Sequence, residues 1–89
     1  MADDQRAAKL RKDAWMAMRQ HIQMLGGLGP FRDIHCFDEN TARRILLGDE
    51  IPVSLCSEIA GMIRRDPIAS VDDHRRADAL AAYAEREAG

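Results

Sequence analysis

Residues 38–59, DENTARRILLGDEIPVSLCSEI, decide how this chain folds. Asp38 precedes Glu39-Asn40-Thr41, an N-cap with acidic support in the first helical turn. A short helix over 39–47 follows, with Ala42, Ile45 and Leu46 inward and Gly48 as its stop. Asp49-Glu50-Ile51 turns the chain. Pro52 then suits the first position of a second helix, over 52–65, where its missing N–H is not needed. Leu55, Cys56, Ile59, Met62 and Ile63 give that helix one apolar stripe, and Asp66-Pro67 ends it. Two amphipathic helices joined by a tight turn set the class as all-α.

The flanks extend the pattern. Leu10, Ala14, Met18, Ile22 and Leu25 recur every three or four residues, predicting a first helix over about 4–25, with Trp15 covering the edge of its apolar face. Asp3 and Asp4 complement its N-terminal dipole, and Gly26-Gly27 supplies a left-handed stop. Between the helices lies LGPFRDIHCF, residues 28–37. Pro30 blocks a continuous helix, while Phe31, Ile34 and Phe37 keep a spacing of three. That pattern predicts a short helical turn over 31–36 that drops two aromatics into the core, with an irregular loop as the alternative. Ser70 and Asp73 resemble a capping box and open a last helix over 71–86, whose shallow face is Val71, Ala77, Leu80, Ala81 and Ala84. The expectation is one domain over 1–89, a compact bundle of four to five helices.

Composition agrees. The 89 residues fit one domain with a thin core. Helix formers dominate and strand formers are sparse. The net charge of −2 argues against a broadly basic nucleic-acid surface. Charge is uneven, however: residues 1–30 hold five Lys or Arg against three Asp, and residues 71–89 hold three Arg against five acids. No stretch has the apolar core of a secretory signal or the length of a membrane span, so a soluble cytoplasmic protein is expected. Cys36 and Cys56 are too few for a disulfide scaffold and read as buried thiols of a reducing compartment.

Catalytic and metal constellations are not visible. His35 and Cys36 are adjacent, so their side chains diverge, and no C-x2-C or H-x3-H pair exists. Gly26-Gly27-Leu28-Gly29 lacks the strand and the Lys-Ser/Thr of a phosphate loop. Asp72-Asp73 complement a helix N-terminus. The expectation is a non-enzyme with no cofactor and no metal.

Asn40-Thr41-Ala42-Arg43-Arg44-Ile45, followed by Gly48, Asp49, Glu50, Ile51 and Pro52, resembles the recognition-helix region of small phage and bacterial helix-turn-helix regulators. The resemblance covers residues 39–59. It implies a DNA-binding transcription regulator that presents Asn40, Thr41, Arg43 and Arg44 to the major groove of double-stranded DNA, where Arg reads guanine and Asn reads adenine. Lys9, Arg11 and Lys12, with Arg6 and Arg19, are available to phosphates. A homodimer is expected, because one short helix reads few bases. A well-formed helix within 28–37 that crosses 39–47 at a steep angle completes such a motif; a loop there favours a different class, a phage-type inhibitor or adaptor that binds a host protein. The five methionines and the Ala-rich last helix suit that class. A third reading is a structural subunit with an oligomer seam at Trp15, Met16 and Met18. In the bland account of Arg43 and Arg44, they form a solvated face paired with acids such as Glu39.

Overall fold

A computed structural model describes residues 2–88 as five helices, with no strand among them. Helix α1 (Ala2–Leu25) buries Ala14, Ala17, Met18 and Ile22 along one face. Leu10, Trp15 and Leu25 lie half-buried at its margins. Gly26, at φ 107°, ends it: the Gly26 and Gly27 N–H groups return to the carbonyls of Gln23 and Ile22, at 3.1 and 3.0 Å. These two hydrogen bonds satisfy carbonyls that a helix end leaves free.

Helix α2 (Leu28–His35) is longer than the turn predicted over 31–36. Pro30 does break the path of α1, yet it sits in the first turn of the new helix, where no N–H is required. Phe31 is fully buried and Phe37 half-buried, their rings stacked at 5.6 Å. Ile34, which shares their spacing of three, is 54% exposed. The buried side of α2 is set by Leu28, Phe31 and His35, and at about 100° per residue Ile34 falls on the opposite flank.

Helix α3 (Glu39–Leu47) has the predicted bounds. Asp38 caps it by accepting the Thr41 N–H at 2.7 Å, and Gly48 stops it at φ 83°. Pro52 is extended (φ −65°, ψ 124°) and caps helix α4 (Val53–Arg65) from one position outside, its carbonyl accepting from the Cys56 N–H. Leu55, Cys56, Ile59 and Ala60 are buried, whereas Met62 lies at the edge of their stripe, 44% exposed. Helix α5 (Val71–Ala88) opens on the predicted box: the Ser70 Oγ accepts from the Asp73 N–H at 3.1 Å, and Asp73 Oδ2 accepts from the Ser70 N–H at 2.9 Å. Val71, placed inward by the sequence pattern, points to solvent in that first turn, and Tyr83 takes a buried position instead.

Helix α1 is the hub. The α4–α5 hairpin packs on it through α5, and the α2–α3 pair packs on it through both helices. Between them run Met18, Ile22, Phe31, Ile45, Ile59 and Leu80, all fully buried. Met18 therefore belongs to this core and not to an oligomer seam. No described helix is long and apolar enough to cross a membrane.

Candidate nucleic-acid interface

The α2–α3 pair is built by two local rules. Between His35 and Glu39 stand three residues, Cys36, Phe37 and Asp38. Cys36 takes the left-handed conformation (φ 59°, ψ 41°), and the Phe37 N–H closes back onto the Arg32 carbonyl at 3.1 Å. It thus fills the role that glycine fills at the ends of α1 and α3. Its thiol is exposed, contrary to the expectation of burial, because a residue at this turn projects off the end of the helix. Cys56 is the buried one, and burial pushes its thiol from 9.0 up to about 11, against a smaller opposing effect of its own backbone hydrogen bond.

Ala42 and Ile45 of α3 are fully buried. That orientation leaves Asn40, Arg43 and Arg44 exposed together, with Leu47 (67% exposed) one turn further on. Thr41 is half-buried, so its side chain flanks the core where the sequence placed it outward. Arg43 pairs with Glu39 at 2.9 Å, and Arg44 reaches Glu50 at 3.9 Å. Exposed pairs of this kind contribute roughly 0–1 kcal/mol each, so little holds either guanidinium back from another anion. Hydrogen bonds from Thr41, through its side chain and then its backbone, hold the Asp38 carboxyl below its ordinary range.

The cationic residues of α1 are not gathered on this face. Arg11 donates to the Gly48 carbonyl at 2.8 Å and so stands at the C-terminal end of α3. Lys9 pairs with Asp13 at 3.0 Å. Lys12 lines a groove between α1 and α5 with Met16, Gln20, Asp72 and Arg75. Of Lys9, Arg11 and Lys12, Arg11 is the one bonded at the end of α3.

Sequence reasoning missed what orients α3. Trp15 Nε1 donates to the Leu46 carbonyl at 3.0 Å, and Arg19 lies over the Trp15 ring at 5.2 Å. With Arg11, this gives α1 two side-chain bonds at the C-terminal end of α3, one to the Leu46 carbonyl and one to that of Gly48, the residue that stops the helix. A Cβ at Gly48 would stand 3.0 Å from Trp15 Nε1, so the absence of a side chain there lets the indole close on the helix end. The signal existed as a lone tryptophan with a polar edge and a helix-stop glycine, 33 residues apart, which no local pattern links.

The chain matches no protein-family model, and no curated protein or solved structure is significantly similar to it.

Proposed function

We propose that this protein is a small helix-turn-helix DNA-binding regulator, active as a dimer, in which α3 enters the major groove. The observation that carries this reading is the short helix α2 joined to α3 by a three-residue left-handed turn, with the polar side of α3 unpacked. Two helices joined by a turn of three or four residues are the framework of such motifs. In the proposed complex Asn40 and Arg44 take base edges, and Arg43, freed from Glu39, takes a base or a phosphate. Arg11 supplies a phosphate contact beside the C-terminal end of α3. Lys9 and Lys12 act only through the general field, which suits a chain with net charge −2. Dimerisation provides the second half-site that a nine-residue reading helix needs for useful affinity.

The test is fluorescence anisotropy with a random-sequence duplex at about 50 mM salt, repeated at about 200 mM. Binding should appear at low salt and weaken steeply as salt rises. The R43A/R44A double variant should lose most of it with its fold intact. Absence of binding at the lower salt would sink the proposal.

A protein-binding role has its own support in the exposed Met16 (45%) and Met24 (64%), which border the α1–α5 groove. Under that reading, pull-down of one dominant nuclease-resistant protein is expected, with loss on M16E/M24E and no effect of R43A/R44A.

A further inference from the structure

His21 of α1 and His35 of α2 meet with their Nε2 atoms 3.0 Å apart. The ring centroids are 5.2 Å apart, so the two imidazoles stand almost nose to nose. Both rings are half-buried, and aromatic rings wall them in: Phe31 lies 6.3 Å from His21 and 5.2 Å from His35, and Phe37 lies 6.5 Å from His35. A hydrogen bond between two imidazoles requires a neutral acceptor nitrogen, and neutral imidazole is the form that ligates borderline divalent metals. Two nitrogens held at 2.0–2.1 Å by one ion are about 2.9 Å apart at a right angle and about 3.4 Å apart at the tetrahedral angle. The observed 3.0 Å lies near the right-angle value, which suits adjacent positions of a tetragonal ion better than tetrahedral zinc.

We propose that His21 and His35 form a two-imidazole chelate for Cu²⁺ or Ni²⁺, with water in the remaining positions, that ties α1 to α2. Each ring must swing roughly 40° off the line between the nitrogens for its lone pair to point at a shared ion. The terminal torsion of histidine is soft enough to allow that swing. The ring that now donates carries its proton on Nε2; on chelation that proton moves to Nδ1 through solvent, so neutral rings bind the ion with no net proton release. The burial and the nearby Arg76 charge that keep protons off His21 also act against a dication, so the placement of the two nitrogens, and not their titration, carries the site. The site is limited to two protein ligands, because no group of three or more His, Cys, Asp or Glu is placed to share an ion among the described residues. A spacing of 14 residues across two helices leaves no mark of this pair in the sequence.

The experiment is titration of the whole chain with NiCl2 and CuCl2 by calorimetry at neutral pH, in the C36S background so that the exposed thiol takes no part. One ion per chain is expected. H21Q and H35Q should each weaken binding about tenfold or more, since even loss of a residue behind a ligand costs that much. H74Q, which alters an exposed histidine of α5, should bind unchanged. Because a variant at the α1–α2 contact can loosen the fold, copper EPR on the chain with both histidines intact supplies a second readout: hyperfine splitting from two imidazole nitrogens. The proposal is overturned if no one-to-one binding occurs by about 1 mM ion. It is equally overturned if the EPR signal lacks that nitrogen splitting, or if only H74Q abolishes binding.

Discussion

Replacing Gly48 with alanine should destabilise the fold by about 2 kcal/mol, and two separable causes contribute. The residue sits at φ 83°, where an L side chain is disfavoured by about 1–2 kcal/mol. The reduced freedom of the unfolded chain offsets about 0.4–1 kcal/mol of that. The new methyl then meets Trp15, at 3.0 Å from Nε1, 3.1 Å from Cε2 and 3.2 Å from Cδ1. Relief requires the indole to move, which breaks its 3.0 Å bond to the Leu46 carbonyl at a cost of about 0.5–1.5 kcal/mol. A domain of 89 residues has roughly 4–13 kcal/mol of stability, so G48A should fold but melt about 10 °C lower. Urea and thermal unfolding followed by circular dichroism give the values. The decisive comparison is G48A in a W15A background, because a phenyl ring would keep carbons near the Cδ1 contact. There the steric part should vanish, leaving a coupling of about 1 kcal/mol between the two sites. An equal cost of G48A in both backgrounds would show that the indole does not press on this glycine.

Four further outcomes follow from the geometry. His21 is held at about 4 against 6.5 when exposed, so the unfolded chain binds the extra proton between those values. Stability from this ring is complete above about pH 6.5 and declines as pH falls toward 4; H21Q should flatten the urea midpoint across that window. Cys36→Gly should raise stability by about 0.5–1 kcal/mol, since it relieves a left-handed non-glycine residue; a lower midpoint would mean the thiol makes a contact that matters. A thiol-reactive disulfide reagent should modify one cysteine of the native protein quickly, Cys36, and reach the second, Cys56, only on unfolding. If DNA is the ligand, R44A should cost about 1–3 kcal/mol on a preferred duplex and relax sequence preference, whereas K9A should reduce binding evenly across sequences.

Helices with strong boundary chemistry were legible in the sequence. Asp38 and Gly48 bracket α3 at the residues read from their side chains, and the Ser70–Asp73 box forms as written. Helix α2 was only partly legible: its end falls within one residue of the predicted turn's, but it starts three residues earlier, because Pro30 reads as a break although a first helical turn accommodates it. Apolar residues at the edge of a stripe are less buried than their spacing suggests. Ile34, Met62 and Val71 keep helical spacing, yet burial depends on how each helix is rotated against its neighbours, which periodicity alone does not fix. Of the candidate site residues, Asn40, Arg43 and Arg44 fall on one surface because they share a helix with buried Ala42 and Ile45. Lys9, Arg11 and Lys12 share only a stretch of sequence, and successive helical positions point in different directions.

The anchoring of α3 by its far end separates two jobs within nine residues. Ala42, Ile45 and the carbonyls taken by Trp15 and Arg11 determine where the helix lies, and positions 40, 43 and 44 contribute almost nothing to that placement. Mutational drift at those three positions is therefore nearly silent for folding while it changes the charge and hydrogen-bonding groups that the surface presents. Randomising those three codons should therefore yield a library that folds almost uniformly, with no compensating change needed in the core.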